Sequence, residues 1–88
     1  YLQKIMRTIG QIPHAWFRIT AFQSNNKFIL KIEAGPFEQH YKFLESDQLR
    51  SFEDLAALVT VDFLDRVKTI FDDMNRAYRS ILFPEKPA

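Results

Sequence analysis

Across residues 14–45 apolar and polar side chains alternate with a period of two, and the alternation breaks at Asn25-Asn26 and again at Gly35-Pro36. This pattern constrains the fold more than any other feature of the chain. A period of two sends successive side chains to opposite faces of a strand, and short breaks rich in Asn, Gly and Pro are hairpin loops. The sequence therefore predicts strands over about 15–23, 27–34 and 37–45.

The two loops set a register that can be checked internally. With Asn25-Asn26 as the first loop, Ser24 faces Lys27, Ala21 faces Leu30, Ile19 faces Ile32 and Phe17 faces Ala34. The other side of the same ladder sets Thr20 opposite Lys31 and Arg18 opposite Glu33, a favourable charge pair. With Gly35-Pro36 as the second loop, Phe28 faces Phe43, Leu30 faces Tyr41 and Ile32 faces Gln39. Both loops produce the same apolar face. A three-stranded antiparallel meander with one buried side follows.

Helical spacing flanks this sheet. Leu2, Ile5, Met6 and Ile9 fall at i, i+3, i+4 and i+7, with Gly10 as a stop and Pro13 blocking resumption, so a short N-terminal helix is expected. After the sheet, Ser51 reads as an N-cap with Glu53 and Asp54 in the first turn of a short helix over 52–59. Thr60 reads as the end of that helix, as a kink, or as the cap of a longer helix with Asp62 near its N-terminus. Along it Phe63, Val67, Ile70, Met74, Ala77 and Ile81 step by fours and threes, flanked by Leu64, Phe71 and Tyr78. About 21 helical residues make a rod of roughly 31 Å, longer than the roughly 26 Å of an eight-residue strand. The stripe fits a cover over the sheet, and its stepping also matches a coiled-coil seam.

The expected fold class is α+β: a three-stranded antiparallel β-meander with an N-terminal helix and a short plus a long C-terminal helix packed on one face, in the order α-β-β-β-α-α. An 88-residue chain supports one hydrophobic core, so a single domain over residues 1–83 is expected, with 84–88, which carries Pro84 and Pro87, as a tail. The chain opens on Tyr1 and not on methionine, which points to a piece of a longer protein or a processed product. The longest apolar run, 55–59, is far short of the roughly 20 residues of a membrane span. Lys4 and Arg7 interrupt the opening apolar pattern, which argues against a signal peptide and for an intracellular setting, cytoplasmic or nuclear.

Composition narrows the function classes. With no cysteine, disulfides, thiolate nucleophiles and cysteine-held metals are excluded. A net charge of +1 exerts no general pull on nucleic acid or anionic membrane. There is no phosphate-cradling glycine loop, no paired-histidine metal spacing and no nucleophile elbow. His14 and His40 fall on non-adjacent strands, and Asp72-Asp73 diverge by about 100° on a helix. No enzyme, cofactor or metal centre is expected.

The sheet face turned away from the helices carries the functional argument. The register places Trp16, Arg18, Thr20 and Phe22 there from the first strand, Ile29, Lys31 and Glu33 from the second, and Glu38, His40, Lys42 and Leu44 from the third. A solvated sheet face does not ordinarily carry Trp, Phe and Ile together. Residues 47–52 or the C-terminal tail could cover them. The face could equally meet a protein partner or a second copy of the chain, as homo- or heterodimer, since aromatic anchors with a charged surround suit interfaces. A single-stranded nucleic acid is the alternative, with aromatics stacking bases and Arg18, Lys31 and Lys42 meeting phosphates. Glu33 and Glu38 interrupt that positive field. The expected function is a non-enzymatic protein–protein interaction module, of docking or oligomerisation type, with Trp16, Arg18, Phe22, Ile29, Lys31 and Lys42 as the partner-binding residues.

The order of helix, antiparallel meander, short helix and long helix resembles the RWD domains, protein-docking modules that in some cases sit at the end of coiled-coil stalks. The resemblance implies an α+β fold and a docking role. The proline-containing signature that often follows the sheet in those domains has no counterpart here, because residues 46–51 contain no proline.

Overall fold

A computed structural model describes residues 6–84. The alternating segment forms β2 (Arg18–Ser24), β3 (Lys27–Ala34) and β4 (Phe37–Leu44), joined by two-residue loops at the expected places. Their ladders pair Ala21 with Leu30, Ile19 with Ile32, Phe28 with Phe43, Leu30 with Tyr41 and Ile32 with Gln39, as the sequence register requires. Both loops use the same device. Asn25 and Gly35 each open their loop at φ +58°, a left-handed conformation that favours Gly and tolerates Asn.

The N-terminal helix is not found. A further strand, β1 (Arg7–Ile12), pairs antiparallel with β2, so the meander has four strands in chain order, and no helix precedes it among the described residues. Of the proposed helical stripe, Leu2 and Ile5 lie outside the described residues, Met6 precedes β1 and Ile9 sits within it. Met6 lines the outer face and Ile9 packs against the core, so the two share no stripe, and a β-bulge interrupts the strand. The register jumps between Thr8 opposite Phe22 and Gly10 opposite Ala21, leaving Ile9 as the extra residue. Ile9 and Ile12 consequently both reach the core although they are three apart.

Gly10 is no helix stop either. A Cβ at this position would stand 2.7–2.9 Å from the ring of Phe52, so the missing side chain lets that ring lie against β1.

β2 also begins later than its sequence pattern suggests. His14 Nδ1 accepts the backbone N–H groups of Trp16 and Phe17, at 3.1 and 3.2 Å. Those donors are spent on a local turn and the ladder starts at Arg18. The His14 ring stacks on Phe17 with centroids 4.7 Å apart, and Phe17 leans on Phe71.

The helices follow as α1 (Phe52–Leu58) and α2 (Val61–Leu82). Ser51 Oγ accepts from Asp54 N, and the Asp54 carboxylate accepts from Arg50 N, so the first turn of α1 is tied from both sides. Thr60 Oγ1 accepts from Phe63 N and caps α2. Leu55, Val67 and Phe71 bury themselves against Ile19, Ala21, Phe28, Leu30 and Ile32, joined by Leu49 from the β4–α1 connection. The fold is thus α+β, with a four-stranded antiparallel meander followed by two helices packed on one of its faces.

The stripe of α2 that covers the sheet differs from the one with the cleanest stepping. Val67 and Phe71 are buried, and Leu64 and Met74 pack against the core, whereas Ile70 and Ile81 are exposed. Tyr78 meets Phe37 edge-on at 5.3 Å, and beyond it Leu82 and Phe83 are exposed as well.

Candidate functional site: the outer sheet face

Residues 47–52 do not cover the outer face. Leu49 is buried in the core and Phe52 packs against it, so this segment serves the helix-bearing side. The C-terminal tail beyond residue 84 lies outside the described residues.

On the outer face Phe22 lies opposite Ile29, Ile29 opposite Lys42, and Lys31 opposite His40. These residues line a concavity of about 430 Å³, together with Met6, Ser24, Asn25 and Lys27. Ile29 forms its floor at 8% exposure, and Thr20 and Ser24 beside it are also buried. Phe22 is half-buried.

Charge is distributed unevenly along the hollow. Lys31 Nζ stands 3.9 Å from carboxylate oxygens of both Glu33 and Glu38, and His40 Nε2 stands 3.1 Å from Glu38 Oε1. That end is balanced. At the other end, among the described residues, neither Lys27 nor Lys42 has a carboxylate within salt-bridge distance. Glu45 follows closely on Lys42 in sequence, but its carboxylate accepts from Gln23 Nε2 at 2.7 Å. Gln23 pairs with the core residue Phe28, so that contact belongs to the opposite face. The result is an apolar floor with an uncompensated cationic rim.

Of the residues singled out from sequence, Phe22, Ile29, Lys31 and Lys42 come together in this concavity. Arg18 stands exposed at the start of β2, opposite Glu33 and outside the hollow. Trp16 lies in the β1–β2 connection instead of on the sheet, is 74% exposed, and meets His14 edge-on at 6.0 Å.

Four lining residues were missed, among them Asn25, which was read only as a loop residue. Lys27 and Ser24 share the parity of Ile29 and Phe22 and were legible from the register. Met6 was hidden by the helical reading of its segment. Among the described residues no group of three metal-binding side chains converges. Comparison with protein-family models, curated proteins and solved structures finds no match for this chain.

Proposed function

We propose that this domain is a non-enzymatic protein-interaction module whose contact surface is the sheet face opposite the helices. The observation that carries the reading is the hollow over Phe22 and Ile29, rimmed by Lys27 and Lys42. An apolar centre within a polar rim is the general anatomy of a protein interface. The partner is a different protein or a second copy of the chain. Arg18, on the same face opposite Glu33, is assigned to the margin of this surface, and Trp16, exposed in the β1–β2 connection, is not part of it.

The test is to immobilise the native domain and a Phe22→Ser variant, verified as folded by circular dichroism, and compare the proteins each retains from lysate. Light scattering of both over a hundredfold concentration range adds the self-association arm. A protein retained, or a dimer formed, only by the native chain supports the reading. Identical retention and identical mass for both variants would overturn it.

The lysine rim motivates one other reading, single-stranded nucleic acid. Base stacking needs exposed aromatic planes, and this hollow offers the half-buried Phe22 and the His40 ring, whose Nε2 stands 3.1 Å from the Glu38 carboxylate. An oligothymidylate titrated at two salt concentrations decides it: binding that weakens steeply with salt favours nucleic acid.

A further inference from the structure

The uneven charge of the outer face specifies the chemistry of what it receives. Ile29 is the centre. Lys42 stands directly across the ladder from it, and Lys27 lies two residues before it on β3, on the same face. Both ammonium groups therefore flank one apolar spot made by Ile29 and Phe22, while the far end is neutralised by Glu33 and Glu38. We propose that this end of the hollow binds an acidic peptide segment of a partner protein, seating one aliphatic side chain on Phe22 and Ile29 and placing the carboxylates beside it against Lys27 and Lys42. The proposal rests on the interaction-module reading above and names the partner's chemistry.

Charge complementarity selects this occupant over the others. A second copy docked through the same spot about a twofold axis would set Lys27 and Lys42 against their own equivalents, an arrangement of like charges. A nucleic-acid strand would run its phosphates past Glu33 and Glu38. An acidic segment with an aliphatic anchor meets both the floor and the rim, and its exposed charge contacts contribute more to orientation and on-rate than to affinity.

The probe is a fluorescein-labelled peptide, Asp-Glu-Asp-Leu-Asp-Glu-Asp, followed by anisotropy at low salt and by amide chemical shifts of the domain. Binding is expected to shift the amides of Ser24, Lys27, Ile29 and Lys42. Charge reversal by Lys27→Glu with Lys42→Glu, both solvent-facing side chains, is expected to weaken binding at least tenfold. Replacing the peptide's leucine by serine, which leaves the domain untouched, is expected to weaken it at least fivefold. Equal binding of a peptide with lysine in place of every acid overturns the proposal, as does binding indifferent to the lysine reversals. Binding of dodecanoate or oligothymidylate with no binding of the acidic peptide also overturns it. If the acidic peptide fails while lysate retention still depends on Phe22, the proposal falls and the interaction-module reading stands. If both fail, both fall.

Discussion

Gln39 Nε2 donates to the backbone carbonyl of Val67 at 3.0 Å, a single side-chain amide bonding the edge strand β4 to the second turn of α2. Its other end is also occupied, since Gln39 Oε1 accepts from the Tyr41 hydroxyl. A buried amide with both ends satisfied is tolerated where an unsatisfied one is not. Gln39→Ala removes both bonds and leaves a small void. It is expected to cost about 2 kcal/mol, read from the urea midpoint, with helical circular dichroism retained.

Tyr41 supplies a pH test of the same contact. Burial pushes its phenol above the ordinary value near 10, because the folded environment favours the neutral form. The folded state therefore holds the proton more tightly than the unfolded state does. The associated stability is fully present below about pH 10 and is lost as pH rises from there through the folded value. Urea midpoints measured from pH 8 upward should fall in the native chain once pH 10 is passed. Tyr41→Phe should show a shallower fall, and at pH 8 it should be less stable by about 1 kcal/mol through the lost hydrogen bond.

Gly10 and Phe52 form a steric pair. A methyl group at Gly10 collides with a ring that is itself packed against the core. Gly10→Ala should destabilise by about 1–2 kcal/mol, the range of overpacking. Combining it with Phe52→Leu should cost less than the sum of the two single changes. Strict additivity in that double-mutant cycle would show that the ring does not oppose the methyl.

The loops give opposite responses to opposite substitutions. Asn25 already holds φ +58°, so Asn25→Gly removes a steric penalty and should leave stability level or raise it by a few tenths of a kcal/mol. Gly35→Ala forces a side chain into the same conformation and should cost about 1 kcal/mol. Thermal melts of the two variants, run beside the native chain, read both signs.

The parts of the fold that were legible in the sequence are those set by short-range rules. Two tight loops and a period of two are enough to place every partner from Arg18 to Leu44, and Ser51 announces its helix because cap chemistry is local, whereas Thr60 was one of three readings until its Oγ1 was seen to cap α2. What failed was where one residue changes the period. The spacing of Met6 and Ile9 suggested a helix although they serve opposite faces of a bulged strand, and the His14 ring withdrew two backbone donors that the pattern of residues 15–17 had assigned to the ladder. The candidate site shows the same division. Phe22, Ile29, Lys31 and Lys42 follow from parity, whereas Met6 depends on the bulged strand and Trp16 on the His14 turn. Parity with Phe43 already sets Glu45 on the opposite face; what needed the structure was that, among the described residues, no other carboxylate reaches Lys27 or Lys42.

Strand order equal to chain order governs how the molecule assembles. Each sheet contact closes only a short loop, so the meander can zip from hairpin to hairpin at little entropic cost. The long closures come with the helices: the amide of Gln39 meets a carbonyl 28 residues further along, and Phe17 reaches Phe71. Docking of α2 on the sheet is therefore expected to come last, after the transition state. Substitutions at Val67 or Phe71 should act mainly by accelerating unfolding, whereas weakening the Asn25 or Gly35 loop should slow the forward reaction.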